Sequence, residues 1–113
     1  TEAAFALRLN RAHPILAGHF PEQPIVPGAV LTQIACNLFS QIVQQKMTLT
    51  SAKNIKFLNI VFPDSCTEIK YNIRYEKLDT QCYNVTCHIH NDAVQFAKLS
   101  LVMQNEKTAD EQR

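Results

Sequence analysis

The residues best placed to do chemistry crowd into one short stretch, Gly18-His19-Phe20-Pro21-Glu22-Gln23-Pro24-Ile25-Val26-Pro27-Gly28. With Pro14, it gathers four of the five prolines and both glycines of the chain. Proline fixes φ, so such a loop has few conformations to lose on ordering. Pro27 and Gly28 also suit the start of a helix, whose first-turn amides lack an intrahelical partner. Free amides and the helix dipole converge just beyond this stiff loop, so one reading places a functional site there. The other reading is a tight connection that carries a histidine with no task. His13, which precedes Pro14 and has no partner by spacing, takes that plainer reading.

Two other groups of ligating residue types are weaker. Cysteines stand at 36, 66, 82 and 87 with no CxxC pair. They are too sparse for a disulfide framework, so reduced thiols in a cytoplasmic protein are expected. Cys87-His88-Ile89-His90 resembles a metal tract only at a glance. On a strand His88 and His90 share one face and Cys87 the other, while Cys82 lies about 20 Å from His88. Zinc needs a third and fourth ligand that nothing here supplies. No metal site is expected.

The elements that must position these residues are legible from periodicity. Val30, Leu31, Ile34, Ala35, Leu38, Phe39, Ile42 and Val43 recur at helical spacing, with glutamines and Asn37 on the other face. The pattern predicts one helix over 29–45. Period-two alternation predicts strands with Ile69, Tyr71, Ile73 and Tyr75 inward, then Tyr83, Val85, Cys87 and Ile89, then Ala97, Leu99, Leu101 and Met103. Phe5, Leu7 and Leu9 give a short strand at the front. The stretch 54–62 is apolar on both parities, as expected of a central strand. Turn residues separate the runs at Pro63-Asp64-Ser65, Asp79-Thr80 and Asn91-Asp92. One long helix against an antiparallel sheet of about five strands is an α+β domain. It is expected to span 1–104 as a single domain, with 105–113 a flexible tail.

Composition narrows the function classes. The 113 residues carry 46% hydrophobic and 19% charged side chains, which excludes disorder. A formal charge of +1 calls for neither nucleic acid nor an anionic membrane surface. No apolar run approaches the roughly 20 residues that span a bilayer, and the first residues do not resemble a signal peptide.

The string His19-Phe20-Pro21-x-x-Pro24-x-x-Pro27-Gly28-x-Val30-Leu31 resembles the signature of hotdog-fold 3-hydroxyacyl-[acyl-carrier-protein] dehydratases. Asn54-Ile55-Lys56-Phe57, Pro63-Asp64 and the alternating strands continue the likeness, over roughly residues 5 to 103. Within that family it is most similar to the small bacterial branch found with aryl polyene clusters. The resemblance implies a hotdog fold and a dimer with two interfacial sites. It also implies an acyl carrier protein bearing a 3-hydroxyacyl thioester as partner, in fatty acid or polyene biosynthesis. No cofactor is implied, because the thioester itself acidifies the α-carbon.

The implied roles map residue by residue. His19 is the catalytic base, the Gly28 amide binds the thioester carbonyl, and Phe20 and Pro27 border the substrate. The family's helix acid falls at Gln33, where the chain departs from the pattern. An amide donates a hydrogen bond but no proton, and losing a general acid costs about 10²- to 10⁴-fold. Three functions are therefore carried forward: a dehydratase, with Glu22 as the nearest substitute acid; a thioesterase on the same fold; and a non-catalytic acyl-thioester binder or partner of an active homologue. The acyl chain is expected between the helix and the odd-parity strand residues, with Lys53, Lys56, Arg8 and Arg11 as candidate carrier-protein contacts.

Overall fold

The structure, a computed structural model, describes residues 1–9, 25–62 and 68–105. Strand β1 (Glu2–Arg8) precedes helix α1 (Gly28–Val43), followed by β2 (Met47–Phe57), β3 (Glu68–Lys77), β4 (Cys82–His90) and β5 (Gln95–Asn105). The five strands form one antiparallel sheet in the order β1-β3-β4-β5-β2. This is the expected α+β architecture. Strand β5 runs one residue past the expected boundary, with Asn105 paired to Met47; the rest of the tail lies outside the described residues.

Alternation places the core. Register rows run Phe5–Tyr71–Ile89–Ala97–Phe57 and Ala3–Ile73–Cys87–Leu99–Ile55 across the sheet. Tyr71, Ile73, Cys87, Ile89 and Ala97 are fully buried, and Leu31, Ala35, Leu38 and Phe39 of α1 pack against that face. The Phe39 ring meets Tyr75 and Tyr83 edge-on at 5.4 and 5.2 Å between centroids, the geometry that opposes ring edge to ring face. The buried Tyr71 hydroxyl donates to the Leu31 carbonyl at 2.9 Å and ties β3 to the first turns of the helix. Burial raises the Tyr71 phenol well above its ordinary range, so it remains a donor.

The ends of the elements follow local chemistry. Pro27 caps α1 in an extended conformation, and the Val30 and Leu31 amides donate to its carbonyl. At the other end Gln44 is left-handed (φ 55°). Gln44 N donates to Gln41 O and Gln45 N to Ser40 O, the paired bonds of a Schellman cap. Asp79 Oδ1 accepts from the amides of Gln81 and Cys82, and Asn91 Oδ1 from those of Ala93 and Val94. The β3–β4 and β4–β5 turns thus lie where the side chains that bond their own backbone predict them.

One expectation is corrected. The stretch 54–62 is not a central strand. Strand β2 begins at Met47, ends at Phe57 and occupies an edge of the sheet. Two register shifts against β5, between Leu49 and Ser51 and between Ala52 and Asn54, break its alternation. Beyond it, Leu58 N still donates to Phe96 O, and Val61 leaves the sheet to bridge Val26. Leu49, Ile55, Phe57, Leu58 and Ile60 are all exposed. Apolarity on both parities here marks a segment that the described residues of the single chain leave exposed.

The Tyr71 tether is testable. Tyr71→Phe removes one buried hydrogen bond and keeps the ring, so urea unfolding is expected to show a loss of about 1 kcal/mol. No loss would mean that packing alone seats the helix on β3.

Candidate active site

A helix is about 10 Å across, whereas five strands spaced about 4.8 Å apart span about 19 Å. One helix therefore cannot roof the whole sheet. Helix α1 leaves a groove of about 600 Å³ between itself and β2. Ala29, Thr32, Gln33 and Cys36 form the helix wall, with Leu49, Ile55 and Phe57 of β2 opposite. These strand residues continue the inward rows of the sheet, which explains why the groove is apolar on that side.

Gly28 stands at the mouth. A Cβ built on it would lie 2.6 Å from Cζ of Phe57, so the ring occupies the space that any other residue would fill. Among the described residues nothing accepts from the Gly28 or Ala29 amide, as expected for the first turn of a helix with an unroofed N-terminus. Thr32 Oγ1 turns back to the Gly28 carbonyl at 3.0 Å.

Gln33 lies five residues further along the helix, about 7.5 Å of rise. It is exposed on the groove wall, and its Nε2 donates to Asn37 Oδ1 at 3.0 Å. Cys36, 8% exposed, both borders the groove and contacts Met103 Sδ at 3.8 Å. Burial pushes its thiol up from the ordinary range, so it is protonated and a poor nucleophile at neutral pH. No groove-lining side chain among the described residues titrates near neutral pH. Proton transfer in this groove requires a group from elsewhere.

The structure thus places Gln33 on the groove wall and Gly28 against the Phe57 ring that lines the groove, with Pro27 as the helix cap. His19 and Phe20 lie outside the described residues, as do His13, Glu22 and Arg11. The strand residues expected along the acyl chain are narrowed to β2: Leu49, Ile55 and Phe57 have the expected odd parity and line the groove, while the apolar odd-parity residues of β3, β4 and β5 pack in the core. One expectation is corrected. Arg8 on β1 and Lys53 and Lys56 on β2 sit at opposite edges of the sheet, so they form no single basic patch within one chain. Phe57 is the functional candidate that residue spacing did not single out. Its signal was the two-parity apolarity around it, read as centrality.

A single helix laid across an antiparallel sheet in this order defines the hotdog class. Among solved structures, the dehydratase heterocomplex ApeI:P from Xenorhabdus doucetiae superposes with a TM-score of 0.73 at 16% identity, over 92% of this chain and 88% of that one. An (R)-hydratase from A. caviae involved in PHA biosynthesis gives 0.67 at 17% identity, over 93% and 94%. Residues 1–99 match the family model of ApeI-like proteins, described as ApeI dehydratase, and the chain belongs to that hotdog dehydratase family. It is also 28% identical over 100 residues to the 3-hydroxyacyl-[acyl-carrier-protein] dehydratase FabZ of Wolbachia pipientis wMel, covering 82% of this chain and 70% of that protein. Among the described residues no helix is long and apolar enough to cross a membrane.

The Gly28–Phe57 contact gives a direct check. Gly28→Ala offers up to about 1 kcal/mol of helix propensity, set against displacement of the ring. Its effect on stability should therefore be small in the original chain and clearly favourable in Phe57→Ala, with a coupling of about 0.5 to 1 kcal/mol in a double-mutant cycle. Strict additivity would show that the ring does not hold the Gly28 site.

Proposed function

We propose that the chain dehydrates a 3-hydroxyacyl thioester carried on an acyl carrier protein, at a site completed where two hotdog chains meet. The observation that carries this reading is the Gly28 amide at the N-terminus of α1, which has no acceptor among the described residues and lies beside an apolar groove lined by Phe57 and Gln33. In the step, the His19 imidazole takes the α-proton and the Cα–H electron pair enters the thioester enolate. The amide N–H of Gly28 and the helix dipole stabilise the charge on the carbonyl oxygen. The C3–O bond then breaks, the double bond forms between the α- and β-carbons, and hydroxide leaves as water on taking a proton from the His19 imidazolium or from an acid of the second chain.

Assembly follows from the uncovered edge. Strand β2 has one edge without a strand partner among the described residues and carries exposed Leu49, Ile55 and Phe57, with exposed Ile60 just beyond its end, a surface that invites a second chain. A homodimer through this edge would roof the groove. Lys53 and Lys56, on the same strand, would then border the assembly rather than sit alone.

Gln33 favours a second reading within the same reaction. Its amide supplies no proton, and its Nε2 already serves Asn37. A site using His19 of this chain and an acid from a different hotdog chain would be complete, and the ApeI:P dehydratase is itself a heterocomplex. In that case the chain alone is slow and a partner restores the rate. A thioesterase has less support, since it would need a carboxylate to activate water and none lines the groove among the described residues.

Two variants test the proposal with a 3-hydroxyacyl carrier-protein substrate, reading enoyl absorbance and free thiol. His19→Ala should abolish enoyl formation with the fold intact. Gln33→Glu should raise the rate of the chain alone roughly 10- to 1000-fold, and the gain should fade as pH rises past the new carboxyl's pKa, because the acid form is the donor. Thiol release without enoyl product would replace the dehydratase with a thioesterase. No gain from Gln33→Glu, with activity appearing only beside another hotdog chain, would establish the heterocomplex reading.

A further inference from the structure

The sheet face turned away from α1 carries a second constellation, remote from the groove. Across β2, β5, β4 and β3 one register row reads Lys56–Lys98–His88–Asn72, and the next places Arg74 opposite Thr86 and Glu2. Lys56 and Lys98 are directly opposed like charges, an arrangement that destabilises a sheet unless something compensates it. Among the described residues neither lysine has an ion-pair partner. Arg74 reaches Glu2 only loosely, at 3.7 Å with both side chains largely exposed. Between these side chains lies a cavity of about 320 Å³ lined by Arg74, Lys98, His88, Asn72, Thr86 and Glu2. His88 Nε2 is buried with no hydrogen-bond partner among the described residues.

We propose that this cavity binds a phosphate-type dianion, with Lys98 and Arg74 as the charged donors and His88, Thr86 and Asn72 completing the shell. Donors on three adjacent strands, about 4.8 Å apart, converge on a ligand with several acceptor oxygens rather than on a single carboxylate. A water takes about 30 Å³ of liquid volume, so the cavity also has room for the organic part of a phosphate monoester. The surroundings disfavour a metal cation. Lys98 and Lys56 lie in the row of His88, and Lys70 lies opposite His90.

The charge state of His88 reports on the site. Burial, then His90 and Lys98, hold its imidazole below the usual histidine range. The other groups nearby are Glu2 on β1, Arg74 on β3 and the Lys70–Asp92 pair beside His90. A bound dianion reverses the Lys98 repulsion and favours the protonated ring. With no anion, the lowered pKa means that folding stability falls as pH drops below the unfolded histidine value, and that the loss is complete below the folded value.

The experiment is an NMR titration of the His88 ring in the full chain, with inorganic phosphate and separately with a nucleoside monophosphate, at ionic strength held constant by chloride. A saturable response with a rise in the His88 pKa is expected. Lys98→Ala, a change at an exposed residue, should weaken binding roughly tenfold, and Glu2→Gln should tighten it by removing a competing carboxylate. Tighter binding of the monoester would identify an ester site, and equal binding a site for the free ion. A response matched by chloride alone, or unchanged in Lys98→Ala, would overturn the proposal.

Discussion

The mismatch between one helix and five strands governs the rest of the structure. The helix seats where burial is densest, with Phe39 among Tyr75 and Tyr83 and Leu31 bonded to the Tyr71 hydroxyl. From that position it meets β2 near its two ends, where the Phe57 ring lies over Gly28 and the Met47 amide donates to Ser40 Oγ, and leaves a gap between them. The inward rows of the sheet nevertheless continue across β2, so Leu49, Ile55 and Phe57 present apolar surface to a gap. The groove, the exposed edge and the Phe57 ring over Gly28 are three consequences of that single geometric shortfall.

Much of this was legible in the sequence because the relevant forces are local. Helical spacing from Val30 to Val43 and strict alternation in β3, β4 and β5 record which face each residue buries. The Asp79 and Asn91 turns announce themselves through side chains that bond their own backbone. Strand β2 was misread because both-parity apolarity arises from two situations, a strand covered on both faces within the chain and an edge left for something else to cover. Its beginning at Met47 was hidden by the register shifts near Thr50 and Lys53, which interrupt the alternation.

The site was legible in part. Gly28 and Gln33 were singled out by motif and count; Gln33 lines the groove, and Gly28 abuts the Phe57 ring that lines it. Phe57 enters only through folding, since no spacing rule links residue 57 to residue 28. The scattering of Arg8 from Lys53 and Lys56 has the same origin: sheet order, not chain order, decides which charges are neighbours. Chemically, the groove provides an apolar wall with the helix N-terminus beside it, while none of its lining side chains among the described residues titrates near neutral pH, the Cys36 thiol being held protonated by burial. That division matches the proposed reaction, in which His19 and a second chain supply the proton chemistry.

The account depends most on whether the β2 edge is covered in solution. Sedimentation equilibrium at micromolar concentration addresses this for the original chain and for Ile55→Lys, which places a charge on the inward face of the edge strand. The expected result is a species of at least twice 12.8 kDa for the original chain, shifting towards the monomer in the variant. A stable 12.8 kDa monomer of the original chain, still active as a dehydratase, would contradict the account.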